Sequence, residues 1–297
     1  MHPEVETVLH REGRALGFAA RGDSTHPPVL LLMGNGCGAS FWPEPFCDGL
    51  AQGGRYVIRF DYRGTGRSSQ GDFDQEPYDL DDLARDALAV LDHLRLERAH
   101  LVGLSMGGFI AQRLALRHPA RVCSLTSMMS TPDYAVMLHT FLGGAPPTSS
   151  LPPPRAEWMR ALGQLPRELS PREFLVENWR LANGARAPFE PAYWRELQVL
   201  AEQRGDSPRA GEDHRRAAQR TPDLNLLPQL ARLLPPGLFI QGSEDPIFPP
   251  AHAEAAASAA PHGRLLVVDG MGHALNPCFF PLLTRALLEH TAPPAGT

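Results

Sequence analysis

Residues 100–119 read HLVGLSMGGFIAQRLALRHP. The apolar run Leu101-Val102-Gly103-Leu104 enters a serine set among glycines, and a helical pattern follows at once, up to Pro119. A short run that is apolar on both faces suits a buried parallel strand, and proline just past the last periodic residue suits a helix end. The stretch therefore reads as strand, sharp turn at Ser105, then helix. Gly103-Leu104-Ser105-Met106-Gly107 is G-x-S-x-G. In such an elbow the serine backbone is strained, and side chains two residues either side would collide unless they were very small. The serine hydroxyl would then stand above the carboxyl edge of a sheet, where open α/β sheets bind ligands. The helix beginning at Met106 would point its N–H groups and positive dipole end at the same place. The competing reading is a plain glycine-rich turn, and the rest of the chain has to decide between them.

Outward from this stretch the pattern alternates. VETVLH and RALGFAARG, joined by a short turn, predict a hairpin. PPVLLLMGNG, RYVIRFDYRGTGRSS, VCSLTSMMS, PPGLFIQGSED and GRLLVVDGMGH each open on an apolar run that predicts a buried strand. Helical patterns lie between them. In the strongest, Leu80, Leu83, Ala84, Ala87, Leu88, Leu91 and Leu94 share one face. PEPFCDGLAQGG, the alanine-rich PAHAEAAASAA and the closing FFPLLTRALLEH are the others. Strand and helix in alternation predict a mostly parallel sheet, here of eight strands, with helices on both faces. The alternation breaks near Thr131. Residues 132–225 hold helical pieces, Pro-rich joints and three of the four tryptophans, Trp158, Trp179 and Trp194, but no convincing strand. The expected organisation is a core of residues 1–131 and 226–297 with a helical cap inserted at 132–225. The tail TAPPAGT is expected to fray.

Bulk properties narrow the function classes. The chain has 297 residues, 43% hydrophobic and 21% charged, which reads as globular. A net charge of −5 and the absence of a basic run give no electrostatic case for nucleic acid. No apolar run approaches the roughly 20 residues of a membrane span, and MHPEVETVLHREGRALGF is not a secretory signal. Cys37, Cys47, Cys123 and Cys278 are scattered, with no metal-type spacing and no disulfide framework. The expectation is a cytoplasmic protein with no membrane insertion, no metal and no cofactor.

A nucleophilic serine needs a base, an acid that orients the base, and donors for an oxyanion. His273, in DGMGHALNP, follows the last predicted strand and so falls at its carboxyl edge. His100, His118, His252 and His262 fit solvated surface positions better. Asp245, in QGSEDPIFPP, follows the preceding strand at the same edge. Glu244 and Asp133 are the alternative acids. The chain order Ser105, Asp245, His273 is that of one hydrolase architecture. Met33-Gly34-Asn35-Gly36-Cys37-Gly38 follows the strand VLLL, and its glycines let backbone approach a substrate. The oxyanion donors expected are the backbone N–H groups of Asn35 and Met106. Asp61 and Arg63, in FDYRGTGRS, either touch substrate or, the better reading, fix the loop beside the site. Of Trp158, Phe174, Trp179, Phe189 and Trp194, one or two are expected to face the pocket and the rest to pack the cap. Gly34, Trp158 and Trp179 are the pocket candidates.

On the motifs GLSMGG, RFDYRGTGRSS, QGSEDPIFPP and GMGHALNP the chain resembles the α/β-hydrolase superfamily over nearly its whole length. Within it, LLLMGNG followed by Trp42, YVIRFDYRGTGRSS, HLVGLSMGG and DGMGHAL are similar to the aclacinomycin methylesterase group, which hydrolyses a methyl ester on an aromatic polyketide. Met33-Gly34 stands where many related hydrolases have His-Gly, and this departure matches the methylesterase-like subgroup. The resemblance implies a serine carboxylesterase with a triad of Ser105, Asp245 and His273 that cleaves, through an acyl-enzyme, the carboxylic ester of a small or medium hydrophobic molecule, a methyl ester being one candidate. The same triad also serves lactonases, thioesterases, perhydrolases and carbon–carbon bond hydrolases. A binder that kept the fold without turnover is the non-enzymatic alternative. Oligomeric state is not legible.

Overall fold

Val29, Leu30, Leu31 and Leu32 are all fully buried, although consecutive strand residues point to opposite faces. That is possible only where a strand is covered on both sides. A computed structural model, which describes residues 4–143 and 149–292, shows how. The first strands are β1 (Val5–Arg11), β2 (Arg14–Arg21) and β3 (Pro28–Leu32). Then come α1 (Glu44–Gln52), β4 (Tyr56–Phe60), α2 (Leu80–His93), β5 (Ala99–Leu104), α3 (Met106–Arg117) and β6 (Val122–Met128). Five helices follow: α4 (Tyr134–Leu142), α5 (Ala156–Gly163), α6 (Pro171–Ala182), α7 (Pro191–Arg204) and α8 (Ala210–Arg220). β7 (Gly237–Gly242), α9 (Ala251–Ala259), β8 (Gly263–Val268) and α10 (Phe280–His290) complete the chain. The tail is described only as far as residue 292, so most of TAPPAGT lies outside the described residues.

The eight strands form one sheet in the order β1-β2-β4-β3-β5-β6-β7-β8. β1 pairs antiparallel with β2, and β2 with β4; every other pairing is parallel. Two apolar cores lie on its two faces. Leu30, Leu32 and Leu101 join α2, α3 and α9 on one side, while Val29, Leu31 and Val102 join α1 and α10 on the other. The face predicted for α2 is the packed one, with Leu88 and Leu94 at its margin. Asp79 and Asp82 cap the helix reciprocally through each other's backbone N–H, satisfying two of its orphan donors. Arg113 of α3 is buried and donates two hydrogen bonds to Asp81, at 2.8 and 2.7 Å, and further bonds to the carbonyls of Pro222 and Asp223. One side chain thus ties α2 and α3 to the segment that leads back into β7.

Two expectations need correcting. β8 is the edge strand, and Leu265 and Val267 are 41% and 39% exposed. An apolar run reports the side chains and not whether a further strand or helix covers them. His252 is buried rather than solvated, with Nδ1 2.8 Å from Thr131 Oγ1 and Nε2 2.8 Å from the Pro152 carbonyl. Its alanine-rich helix has too weak a periodicity to announce an inner face. His100 is half-buried and meets Ser124 Oγ at 2.8 Å; His118 and His262 are exposed.

Candidate active site

Because β3, β5, β6, β7 and β8 run parallel, the loops that follow them gather at one edge of the sheet. Ser105 lies there between β5 and α3 with φ 56° and ψ −120°, a conformation costing about 1–3 kcal/mol for a residue with a Cβ. The flanking glycines make it possible. A Cβ on Gly103 would lie 2.2 Å from the Gly107 carbonyl oxygen, and one on Gly107 would lie 2.0 Å from that of Leu32. Gly108 is where α3 meets β6: its Cβ would lie 2.6 Å from that of Ser130. The strained residue is held by its N–H, donated to the Met128 carbonyl at 2.9 Å, and by Ser130 Oγ, which donates to the Ser105 carbonyl at 2.7 Å.

Asp245 is fully buried after β7 and collects four donors. Oδ1 accepts from the N–H groups of Ile247 and Phe248, at 2.8 and 2.9 Å. Oδ2 accepts from Gln241 Nε2 at 2.6 Å and from His273 Nδ1 at 2.9 Å. Ile247, Phe248 and Gln241 already donate to this carboxylate, and it accepts from His273 Nδ1 as well, the tautomer that turns the lone pair of Nε2 away from Asp245. His273 and Ser105 line the same cavity. The alternative acids are engaged elsewhere: Glu244 pairs with Arg186, and Asp133 caps α4 through the Ala135 N–H at 3.1 Å.

Asn35 and Gly34 line this cavity too. Met106 is the first residue of α3, so its N–H is one of the helix's orphan donors. Asp61 is buried and accepts from the N–H groups of Ala39 and Arg67, while Arg63 makes a two-pronged contact with Asp86 at 2.6 and 2.9 Å. Both therefore fix the loop beside the site. The cavity measures about 1040 Å³ and takes in residues of all five helices α4–α8. Of the five cap aromatics weighed from the sequence, Trp158, Phe174 and Trp179 line it, three where one or two were expected. Trp194 and Phe189 stack behind them, 5.8 Å apart and nearly parallel, and Trp179 stacks on Trp194 at 5.3 Å.

Several residues that hold the site have no signal in the sequence. The Ala182 carbonyl at the end of α6 accepts the His273 N–H at 2.6 Å, and Asn183 accepts that of Gly272 at 3.0 Å. A Cβ on Gly272 would lie 2.2 Å from that Ala182 oxygen, so only glycine lets the loop come this close. Asp206, before α8, accepts from Gly38 N–H at 3.1 Å and Gly66 N–H at 2.6 Å. Gln241 supports Asp245, and His214 meets the loop at Gly36.

Burial holds the ring pKa of His100 and of His214 down to about 4 from 6.5, and it lowers those of His252 and His290 as well. These rings fold neutral, so their contribution is complete above about pH 6.5. It is lost as the unfolded chain takes up protons between there and about pH 4. Burial raises the Asp206 carboxyl to about 6 and also raises that of Asp213, which opposes the trend. Four histidines against two carboxyls predict a lower urea midpoint at pH 4.5 than at pH 7. An equal or higher midpoint at pH 4.5 would contradict this balance.

A serine on a strained turn, a His–Asp pair and glycine-lined backbone share one cavity at the carboxyl edge of a parallel sheet, which is the framework of an α/β hydrolase. The model of the α/β hydrolase fold family matches residues 27–277, and the chain belongs to that family. Within it, the chain is 38% identical over 277 residues to rhodomycin D methylesterase DauP of Streptomyces sp. (strain C5), covering 91% of this chain and 92% of that one. It is 37% identical, with the same coverage, to rhodomycin D methylesterase DnrP of Streptomyces peucetius. Among solved structures, a hydrolase from Pseudomonas aeruginosa PA01 superposes with a TM-score of 0.72 at 24% identity, over 97% of this chain and 98% of that one; at that identity the likeness shows the fold alone. Among the described residues no helix is long and apolar enough to cross a membrane.

Proposed function

We propose that Ser105, His273 and Asp245 form the catalytic triad of a carboxylic ester hydrolase whose substrate is the methyl ester of a large, largely apolar molecule. Ester hydrolysis as the reaction class follows from the family and from methylesterase relatives that span nearly the whole chain. The observation that carries the triad is the His273–Asp245 hydrogen bond, 2.9 Å long and buried, in the wall of the cavity that also holds Ser105. His273 Nε2 takes the Ser105 proton as Oγ attacks the ester carbonyl, and Asp245 holds the tautomer and stabilises the imidazolium. The N–H groups of Asn35 and Met106 bind the tetrahedral oxyanion, each contributing about 3 kcal/mol to the transition state. Methanol leaves with the proton from His273. Water, activated by the same ring, then releases the acid and regenerates the serine. These steps balance without a metal or an organic cofactor.

Helices α4–α8 act as a cap, spanning 132–225, that shapes the pocket. A volume of about 1040 Å³ is at the upper end for ligand sites, which run to roughly 1,000 Å³. Walls carrying Trp158, Phe174 and Trp179 favour a multi-ring substrate. The four cysteines are unpaired, which supports a reducing, cytoplasmic setting. A panel of a polycyclic aromatic methyl ester, p-nitrophenyl acetate, a simple lactone and an acyl thioester tests the reading. The polycyclic methyl ester is expected to give the highest kcat/KM, by about tenfold or more, with stoichiometric methanol release. Preference for the lactone or thioester would overturn it.

A further inference from the structure

The Asn35 N–H is useful only if its peptide plane faces the right way. Cys37 N–H donates to the Gly34 carbonyl at 3.3 Å. In a trans peptide the N–H points opposite to the C=O, so this bond directs the Asn35 N–H out of the turn. The next plane, Asn35–Gly36, is held from outside: Gly36 N–H donates to Nδ1 of His214 at 3.0 Å. Gly36 has φ +71°, as a type II turn requires at its third residue, and a type I turn carries that same peptide flipped over. The acceptor at Gly36 thus fixes the central peptide of the turn and ties the turn to α8, while the Asn35 N–H, in the peptide before it, keeps the outward direction set by the Cys37–Gly34 bond.

His214 lies on α8, fully buried, and its Nε2 is 2.8 Å from the Arg63 carbonyl. Since Nδ1 accepts, Nε2 carries the proton and donates. The ring spans two loops of the site edge and is neutral in doing so. Burial, which keeps its pKa near 4, maintains that state. A carboxylate there would accept from Gly36 but offer nothing to Arg63, and a lysine or arginine would do the reverse. Tyr62 meets the ring edge-on at 5.6 Å. α8 also presses on the turn directly, because a Cβ on Gly36 would lie 2.7 Å from the Gly211 Cα.

We propose that His214 is a positioning residue for the oxyanion hole, anchoring the Gly34–Cys37 turn through the Gly36 N–H so that the turn, and the Asn35 N–H it carries, stays in place at the cavity beside Ser105. The proposal rests on the serine-hydrolase reading above. It gives the cap a part in catalysis beyond enclosing substrate.

The test uses the full chain as wild type, Ser105→Ala, His214→Ala, His214→Asn and His214→Gln, with rates normalised to sites titrated by an aryl fluorophosphonate, except that of Ser105→Ala, which is normalised to protein concentration. In H214A, kcat should fall about 30-fold with KM changed less than about threefold. The Ki of an aryl trifluoromethyl ketone, whose hemiketal places an oxyanion in the hole, should rise by the factor that kcat/KM falls. H214N puts an amide oxygen where Nδ1 was and should recover most of both losses; H214Q, whose amide reaches the Arg63 side, should not. If H214A does not fold, H214N against H214Q decides. Unchanged kcat per titrated site, an unchanged ketone Ki, or equal behaviour of H214N and H214Q would overturn the proposal. Activity in S105A would instead overturn the triad reading, whatever the His214 variants do.

Discussion

Ser105→Ala lowers kcat for ester hydrolysis by about 10⁵-fold or more while leaving a folded protein. Removing a nucleophile costs on this scale because base, acid and oxyanion donors act as a unit with it, and the remainder comes only from binding and the oxyanion site. No neighbouring group takes over. Cys37 lines the same cavity, but burial pushes its thiol far above the ordinary range, so it does not supply a thiolate. The fold should tolerate the change, because alanine has the same Cβ and the backbone bonds to Met128 and Ser130 remain. A melting temperature within a few degrees of wild type, with hydrolysis of the best methyl ester lost, is the expected pair of results. Retention of more than 1% of the activity would remove Ser105 from the mechanism.

Asp245→Asn lowers kcat by about 10³- to 10⁴-fold. The reason lies in the donor count. Asp245 accepts from Ile247 N–H, Phe248 N–H, Gln241 Nε2 and His273 Nδ1. An asparagine has one carbonyl oxygen, and in either orientation its NH₂ meets donors. With the oxygen toward Ile247 and Phe248, the NH₂ faces His273, which must move its proton to Nε2 to accept. The lone pair that should receive the serine proton is then gone. Gln241 does not relieve the clash by turning over, because its Nε2 also donates to the Phe248 carbonyl at 2.7 Å. Activity should rise with pH in the variant as far as hydroxide replaces the missing base. An Asp245→Asn enzyme with kcat within tenfold of wild type would assign the orienting role to another acid.

Much of the framework is legible because it leaves local marks. A strained elbow needs very small residues two positions away, so Gly103 and Gly107 appear as a pattern around Ser105. Parallel strands are covered on both faces and so read as unbroken apolar runs. Once the strand order along the chain is read, the carboxyl-edge loops holding Asn35, Asp245 and His273 follow. The exposed face of β8 and the burial of His252 are less legible, because each depends on what packs against an element and not on the element's own residues.

By itself, then, the sequence determined the sheet and the serine elbow, and it singled out the loops that carry Asn35, Asp245 and His273. In each case the constraint acts within a few residues of the group concerned. Tertiary structure alone decided which rings line the cavity and which groups hold the loops at the sheet edge. Trp158, Phe174 and Trp179 face the cavity, whereas Trp194 and Phe189 stack behind. Gly36 meets His214 across 178 positions, and His273 meets the end of α6. Such contacts are set by how α6–α8 fold back over the sheet edge. That depends on the summed packing of five short helices and not on any motif, since side chains of the same type satisfy the same burial from either side of a helix.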